Sequence, residues 1–165
     1  DIPYTAKCYY RLYKFGDMHR LIAAYESMLR EYGSMKEYVR SHASTGIEAV
    51  SAICRYFAEH DASTVVPRNT QSACKRVCMF LRWMVRSGSP VDLGLWADII
   101  DRRTLIMPLD THVVQEALRL GLLKSRTASM ATARRLTDAM LEVFPDDPLR
   151  GDFALFGLGV DEDSK

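Results

Sequence analysis

The clearest helical pattern in the chain is residues 71–86, QSACKRVCMFLRWMVR. Its apolar side chains recur every three or four residues, which is the spacing of one face of an α-helix. They are Ala73, Val77, Phe80, Leu81, Met84 and Val85. The breaker residues 87–90, SGSP, follow directly. This stretch therefore predicts a helix from about Gln71 to Arg86 that packs one face into a core.

The same spacing, with caps and breakers, predicts helices along nearly all of the chain. Asp17, Asp110 and Asp152 are each predicted to cap a helix N-terminus. No segment alternates with period two, so we predict a compact all-α fold of seven or eight helices. The predicted helices are 17–32 ended by Gly33, one begun by Ser34 and Glu37, one begun by Thr45 and Glu48, 71–86, 93–100, 110–120 ended by Gly121, 130–144, and an apolar helix ending at Gly159.

The length of 165 residues favours one domain. We assign it to residues 1–160, with a polar tail over 161–165. The loop over 61–70 is where two helical lobes would meet. Because the chain begins at Asp1 without Met, we expect it to be a piece of a longer protein that lacks an N-terminal segment.

The total charge is close to balanced, with 22 Lys and Arg against 21 Asp and Glu. That balance argues against a simple polycation. The distribution is uneven, however, because residues 68–103 carry a net charge of +4 and residues 104–165 a net charge of −3. A locally basic face for a nucleic acid is therefore compatible with the near-neutral total.

The basic residues of the central segment fall on one side of the predicted helix. At about 100° per residue, Lys75, Arg82 and Arg86 lie within roughly 40° of one another. This helix contains no acid, and Arg68 precedes it. The pattern fits either a solvated helix surface or a stripe that contacts phosphates. Trp83, near the same side, would then stack on a base or belong to the core.

The cysteine pattern offers no cofactor site. Cys74 and Cys78 are four residues apart, but no second pair or nearby His completes a zinc site, and no four-cysteine cluster suggests iron–sulfur. We predict four reduced thiols, mostly in the core, with no metal and no cofactor. No apolar run is long enough to span a bilayer, and no signal peptide is visible, so we expect a cytoplasmic protein.

The string that points to chemistry is residues 105–113, LIMPLDTHV. An apolar run and Pro108 deliver Asp110 to the start of a helix. Asp110 alone is adequately explained as an N-cap. His112, two residues later, could tune Asp110, contact phosphate or hold the turn.

With the helix that follows it, this string resembles the catalytic-aspartate segment of the helix-hairpin-helix DNA glycosylases. Together with SACKRVCMFLRWMVR, VDLGLW and DPLRGDFALFGLG, it also resembles an uncharacterised bacterial family, a domain of unknown function thought to be distantly related to these enzymes. The resemblance covers about residues 8–160. Archaeal 8-oxoguanine glycosylases are the more similar branch, because they too have an atypical hairpin and a long insertion.

The resemblance implies a helix-hairpin-helix glycosylase-like fold and a DNA partner. It further implies base excision, with Lys75 as the nucleophile that attacks the sugar C1′ and Asp110 as the catalytic carboxylate. The implied DNA-contacting residues are Arg68, Lys75, Arg76, Arg82, Arg86 and His112.

This sequence departs from the superfamily pattern at two places. The usual LPGVG-type hairpin is replaced by VVPRNTQSACK, and 35 residues separate Lys75 from Asp110. Two other functions stay open at this point. One is a nucleic-acid-binding module without catalysis, and the other is a helical domain that docks an acidic protein partner.

Overall fold

The computed structural model of the protein describes Thr5 and residues 7–10 and 12–163. Within these residues the chain forms a two-stranded antiparallel sheet and seven α-helices. They are β1 (Cys8–Tyr10), β2 (Tyr13–Lys14), α1 (Phe15–Tyr32), α2 (Met35–His42), α3 (Gly46–Glu59), α4 (Lys75–Val85), α5 (Thr111–Arg119), α6 (Met130–Val143) and α7 (Arg150–Asp163), with a 3₁₀ turn at Arg102–Thr104.

The predominantly helical prediction is confirmed, but the sheet corrects the expectation of a purely helical chain. Strands β1 and β2 have three and two residues, which is too short for an alternating pattern to appear. Two main-chain N–H groups at the start of α1 donate back toward this region, Phe15 to Lys7 O and Gly16 to Thr5 O. The sheet therefore holds the chain against the first turn of α1.

Helix starts in the N-terminal half follow the predicted capping chemistry with one correction. Thr45 and Glu48 form the reciprocal capping box of α3. Ser34 caps α2 by accepting from Glu37 N at 3.1 Å. Asp17 is not the N-cap of α1 as predicted. It lies in the first turn, where its carboxylate accepts from Lys14 N at 2.7 Å.

The central helix is shorter than predicted, and the next predicted helix is absent. Helix α4 begins at Lys75 because Cys74 adopts a left-handed conformation with φ of 47°. Residues 93–100 form turns, not a helix, and Gly94 within them has φ of 67°. Leu93 N and Trp96 N donate at 2.7 Å to Trp83 O and Met84 O, so this segment satisfies the last carbonyls of α4.

The C-terminal helices begin close to the predicted positions. Asp110 is the N-cap of α5, and Ser129 caps α6. Helix α7 begins at Arg150, so Asp152 lies in its first turn and is not the predicted N-cap. The helix continues past Gly159 to Asp163, into the predicted polar tail, whose residues 164–165 lie outside the described part of the chain.

The core is built where the helices meet the buried segment Leu105–Leu109. Helix α5 packs mainly on α7, and α3 packs on α4. The fully buried side chains include Met28, Val50, Leu81, Leu105, Met107, Leu136 and Leu149. No helix among the described residues combines the length and apolarity needed to cross a membrane.

Candidate active site

The two predicted catalytic residues stand at the N-termini of two different helices. Lys75 is the first residue of α4, and Asp110 is the N-cap of α5. The buried run before Asp110 fixes its position, because Met107 is fully buried and its N–H donates to Thr137 Oγ1 at 2.9 Å. The apolar approach seen in the sequence thus anchors the carboxylate to the core.

The structure brings Lys75 and Asp110 together. Lys75 Nζ lies 3.4 Å from Asp110 Oδ2, while Asp110 Oδ1 accepts from Val113 N at 2.9 Å. One carboxylate oxygen therefore caps the helix and the other faces the amine. The Lys75 side chain is 47% exposed and the Asp110 side chain is 21% exposed. The pair is accessible to a ligand.

A cavity of about 470 Å³ with both charged and apolar lining residues opens beside this pair. The first turn of α5 contributes to it, and main-chain N–H groups at a helix N-terminus favour anions. We call it the polar cavity; its lining residues are Lys75, Leu109, Asp110, Thr111, His112, Val114, Gln115, Arg126 and Ala128.

Asp110 also lines a second cavity, of about 250 Å³. Its walls are mainly apolar and aromatic, and Trp83 and Phe153 are 41% and 51% exposed. We call it the aromatic cavity; its lining residues are Met79, Arg82, Trp83, Val91, Pro108, Asp110, Asp152 and Phe153. Asp110 thus lines both cavities, with the Lys75 amine on its polar side.

The predicted exposed stripe is wrong for Arg82 and Arg86. Their side chains are 4% and 9% exposed, because the segment after α4 and the start of α7 cover this side of the helix. Arg82 pairs with Asp152 and lies 3.4 Å from Asp92, and Arg86 pairs with Asp92 at 2.7 Å.

A third carboxylate completes this cluster. Arg86 also binds Asp147 at 2.9 Å through Nη2 and at 3.0 Å through Nε. We call these five residues the buried ion network: Arg82, Arg86, Asp92, Asp147 and Asp152. Both guanidinium groups are buried and paired with carboxylates, so they are not exposed to phosphates, and the structure removes both arginines from the predicted DNA-contacting surface.

The network holds three carboxylates against two guanidinium groups. Burial raises the pKa of Asp152, and the nearby negative charge of Asp110 adds to that rise, whereas Arg82 opposes it. The carboxyl with the raised pKa is therefore the one that lines the aromatic cavity. Because the charges of Asp110 and Lys75 both act on the pKa of Asp152, this residue couples the buried ion network electrostatically to the Lys75–Asp110 pair.

The remaining predicted contacts lie in different places. His112 lines the polar cavity. Arg76 points away from it, because Nη1 donates to Val65 O at 3.1 Å and the guanidinium stacks on the Tyr13 ring at 5.2 Å. Arg68 is exposed in a separate depression beside Arg55. Of the predicted phosphate contacts, Lys75 and His112 share one cavity.

Sequence reasoning missed Arg126 and Gln115 in the polar cavity. Arg126 follows α5 in an irregular segment that returns to the start of α4, where Ala73 N donates to Ala128 O at 3.3 Å. No local sequence pattern predicts this contact between the segment after α5 and the start of α4. It depends on one isolated bridge, between Ser72 and Ser129. The sequence pattern also did not reveal that Asp92, Asp147 and Asp152 pair with the arginines Arg82 and Arg86.

The part of the chain that the structure describes contains no group of three or more His, Cys, Asp or Glu side chains placed to hold a metal ion.

Comparison by sequence finds one family, described as "Protein of unknown function (DUF2400)", whose match covers residues 2–161. No curated protein and no solved structure matches the chain.

Proposed function

The chain belongs to the DUF2400 family of proteins of unknown function, and we propose that it is a DNA N-glycosylase with AP-lyase activity on a helix-hairpin-helix glycosylase-like scaffold. The observation that carries the proposal is the position of Asp110. It faces the Lys75 amine at 3.4 Å and lines two cavities, one that holds cations and one with mainly apolar and aromatic walls.

The division of the site into two cavities suits one nucleotide turned out of the duplex. The aromatic cavity, with Trp83 and Phe153 on its walls, offers stacking surfaces for a base. The polar cavity, with Lys75 and Arg126, offers cations and a helix N-terminus for the sugar-phosphate backbone. The sugar would then lie beside Asp110, where the cavities meet.

The residues present have the chemistry that base excision needs. The unprotonated Lys75 amine attacks the sugar C1′, the N-glycosidic bond breaks, and the base leaves with the bonding electrons and a proton. Asp110 stabilises the positive charge that develops on the sugar. Loss of the ring oxygen bond then gives a Schiff base on Lys75, from which the 3′-phosphate is eliminated.

Borohydride trapping tests this assignment directly. The full chain is incubated with duplexes that carry single oxidised, deaminated or alkylated bases, and borohydride reduces any Schiff base to a stable adduct. We expect an adduct with at least one lesion, and we expect Lys75→Ala to abolish it. Lys36→Ala is the matched control, because Lys36 pairs with Asp98 and lines neither cavity. It should trap at the wild-type level.

Three outcomes would change or contradict this assignment. Base release without an adduct would show a monofunctional glycosylase and remove Lys75 as the nucleophile. Absence of both base release and adduct across the lesion set would contradict the proposal. An adduct that survives Lys75→Ala would place the nucleophile elsewhere.

A second candidate is a DNA-binding module without catalysis, favoured by the exposed cations Lys75 and Arg126 in one cavity. Phosphate contacts alone give binding that weakens steeply with salt. We would measure binding to undamaged duplex across a salt series, for wild type and Arg126→Ala. A reduced salt slope in the variant with no base release on any lesion would favour the module over the enzyme.

A further inference from the structure

Two buried cysteines meet beside the candidate active site. Cys54 lies in α3 and Cys74 directly precedes α4, and their sulfur atoms are 3.8 Å apart. The side chains are almost fully buried. A disulfide requires a sulfur–sulfur distance of about 2.05 Å, so a small closure would join the two helices.

Cys74 occupies an unusual position in the backbone. Its φ of 47° places it in the left-handed region, which a side chain with a Cβ rarely adopts. Such strain persists only where the surrounding contacts fix it, and it tends to occur at sites of function. Lys75, the next residue, carries the amine that faces Asp110. A displacement of Cys74 would move the base of the Lys75 side chain.

The environment also favours reaction at Cys74. The hydrogen bond from the Cys54 thiol holds the pKa of Cys74 below its ordinary value, whereas the same contact and, after it, burial raise the pKa of Cys54. A thiolate is the form that attacks an oxidant. Cys74 Sγ also donates to the carbonyls of Asn69 at 3.3 Å and Ser72 at 3.4 Å, which belong to an irregular segment between helices. Such segments open locally at low free energy and would admit a small oxidant.

We propose that peroxide oxidises Cys54 and Cys74 to a reversible disulfide that shifts Lys75 away from Asp110. The Cys74 thiolate attacks one peroxide oxygen, the O–O bond breaks, and a sulfenic acid and hydroxide form. The Cys54 thiol then attacks that sulfur and water leaves. In total, two thiols lose two electrons and two protons, and hydrogen peroxide becomes two molecules of water. A dithiol reductant reverses the change. The site is independent of any DNA activity.

Cys78 provides the matched control. It is equally buried, and its Sγ lies 3.5 Å from the carbonyl oxygen of Ala73, so it belongs to the same region. Burial raises the pKa of Cys78 to about 12, which keeps it a thiol. Cys8, which is exposed, reports whether the oxidant has acted at all.

The test combines two measurements on the full chain before and after hydrogen peroxide. Peptide mapping under non-reducing conditions should find Cys54 linked to Cys74, and dithiothreitol should reverse the link. The labelling rate of the Lys75 amine by an acylating reagent should rise on oxidation by up to about fivefold, the size expected when a surface ion pair is lost. Cys78→Ala should behave as wild type, and Cys54→Ala and Cys54→Ser should lose both responses.

Three results would overturn the proposal, and each is visible in the wild-type chain even if a variant fails to fold. The first is oxidation of Cys8 with Cys54 and Cys74 still reduced. The second is a link from Cys74 to Cys78 or a stable sulfinic acid at Cys74. The third is a Cys54–Cys74 disulfide with an unchanged labelling rate at Lys75.

Discussion

Helix α4 carries two groups of charges that look alike in the sequence and lie in opposite environments. At its N-terminus, Lys75 is half exposed and meets one carboxylate, that of Asp110. Toward its C-terminus, Arg82 and the C-cap residue Arg86 are buried and meet three carboxylates. An exposed ion pair contributes little stability, whereas breaking a buried one is costly. Burial thus separates the charges that hold the fold from those available to a ligand.

The largest effect should come from breaking the buried ion network at Arg86. Arg86→Met keeps the length of the side chain but leaves three carboxylates with one guanidinium. We expect the free energy of unfolding to fall by about 3–5 kcal/mol, because buried carboxylates lose their partner. Urea unfolding followed by circular dichroism measures it. Arg76→Met, on the exposed side of the same helix, is the control and should cost about 1 kcal/mol or less.

The same measurement on Asp152→Asn tests the charge count within the network. Because there is one carboxylate more than there are guanidinium groups, neutralising Asp152 leaves two charges of each sign. We expect a smaller loss than at Arg86, about 1–3 kcal/mol for the weakened hydrogen bond to Arg82. Equal losses in both variants would contradict the idea that the charge balance of the network decides its stability.

A smaller effect should follow from changing the exposed pair. Asp110→Asn removes the charge but keeps a good N-cap, so the free energy of unfolding should change by less than about 1 kcal/mol. Asp110→Ala also removes the cap and should cost about 1 kcal/mol more. Lys75→Met should resemble Asp110→Asn. A loss at Lys75 as large as that at Arg86 would mean that this pair, too, holds the fold.

The sequence predicts the elements better than it predicts which faces they bury. Periodicity and capping locate most helices, and the apolar run before Asp110 correctly predicts its role as an N-cap. A spacing of about 100° per residue also groups Lys75, Arg82 and Arg86 on one side. It cannot show that residues 89–96 and α7 cover the second half of that side, because those segments are distant in sequence.

Local rules fail in the same way at three other places. Leu93 and Trp96 give their N–H groups to α4 instead of to a helix of their own. Arg126 reaches the polar cavity through a bridge between residues 72 and 129. Cys74 has a backbone conformation that its residue type does not predict. Each depends on contacts between separate parts of the chain, which a single sequence does not reveal.

The smallest predicted effect is the electrostatic influence of the Lys75–Asp110 pair on the pKa of Asp152. Burial raises the pKa of Asp152, the Asp110 carboxylate raises it further, and Lys75 lowers it. In a carboxyl-carbon NMR titration, Asp110→Asn should therefore lower the pKa of Asp152 and Lys75→Met should raise it. Shifts of the same sign in both variants would indicate a structural change instead of an electrostatic one.

The linkage between this pKa and folding gives the same comparison a second readout. Because folding raises the pKa of Asp152, the folded state binds more protons than the unfolded state between the ordinary aspartate pKa and the raised one. Stability should fall as pH rises through that window, and Asp152→Asn should flatten the profile there. Asp110→Asn should make the pH range of this fall narrower, because the pKa of Asp152 in the folded state, which is the upper limit of the range, becomes lower. An unchanged profile in Asp110→Asn would mean that the exposed pair and the buried ion network act independently.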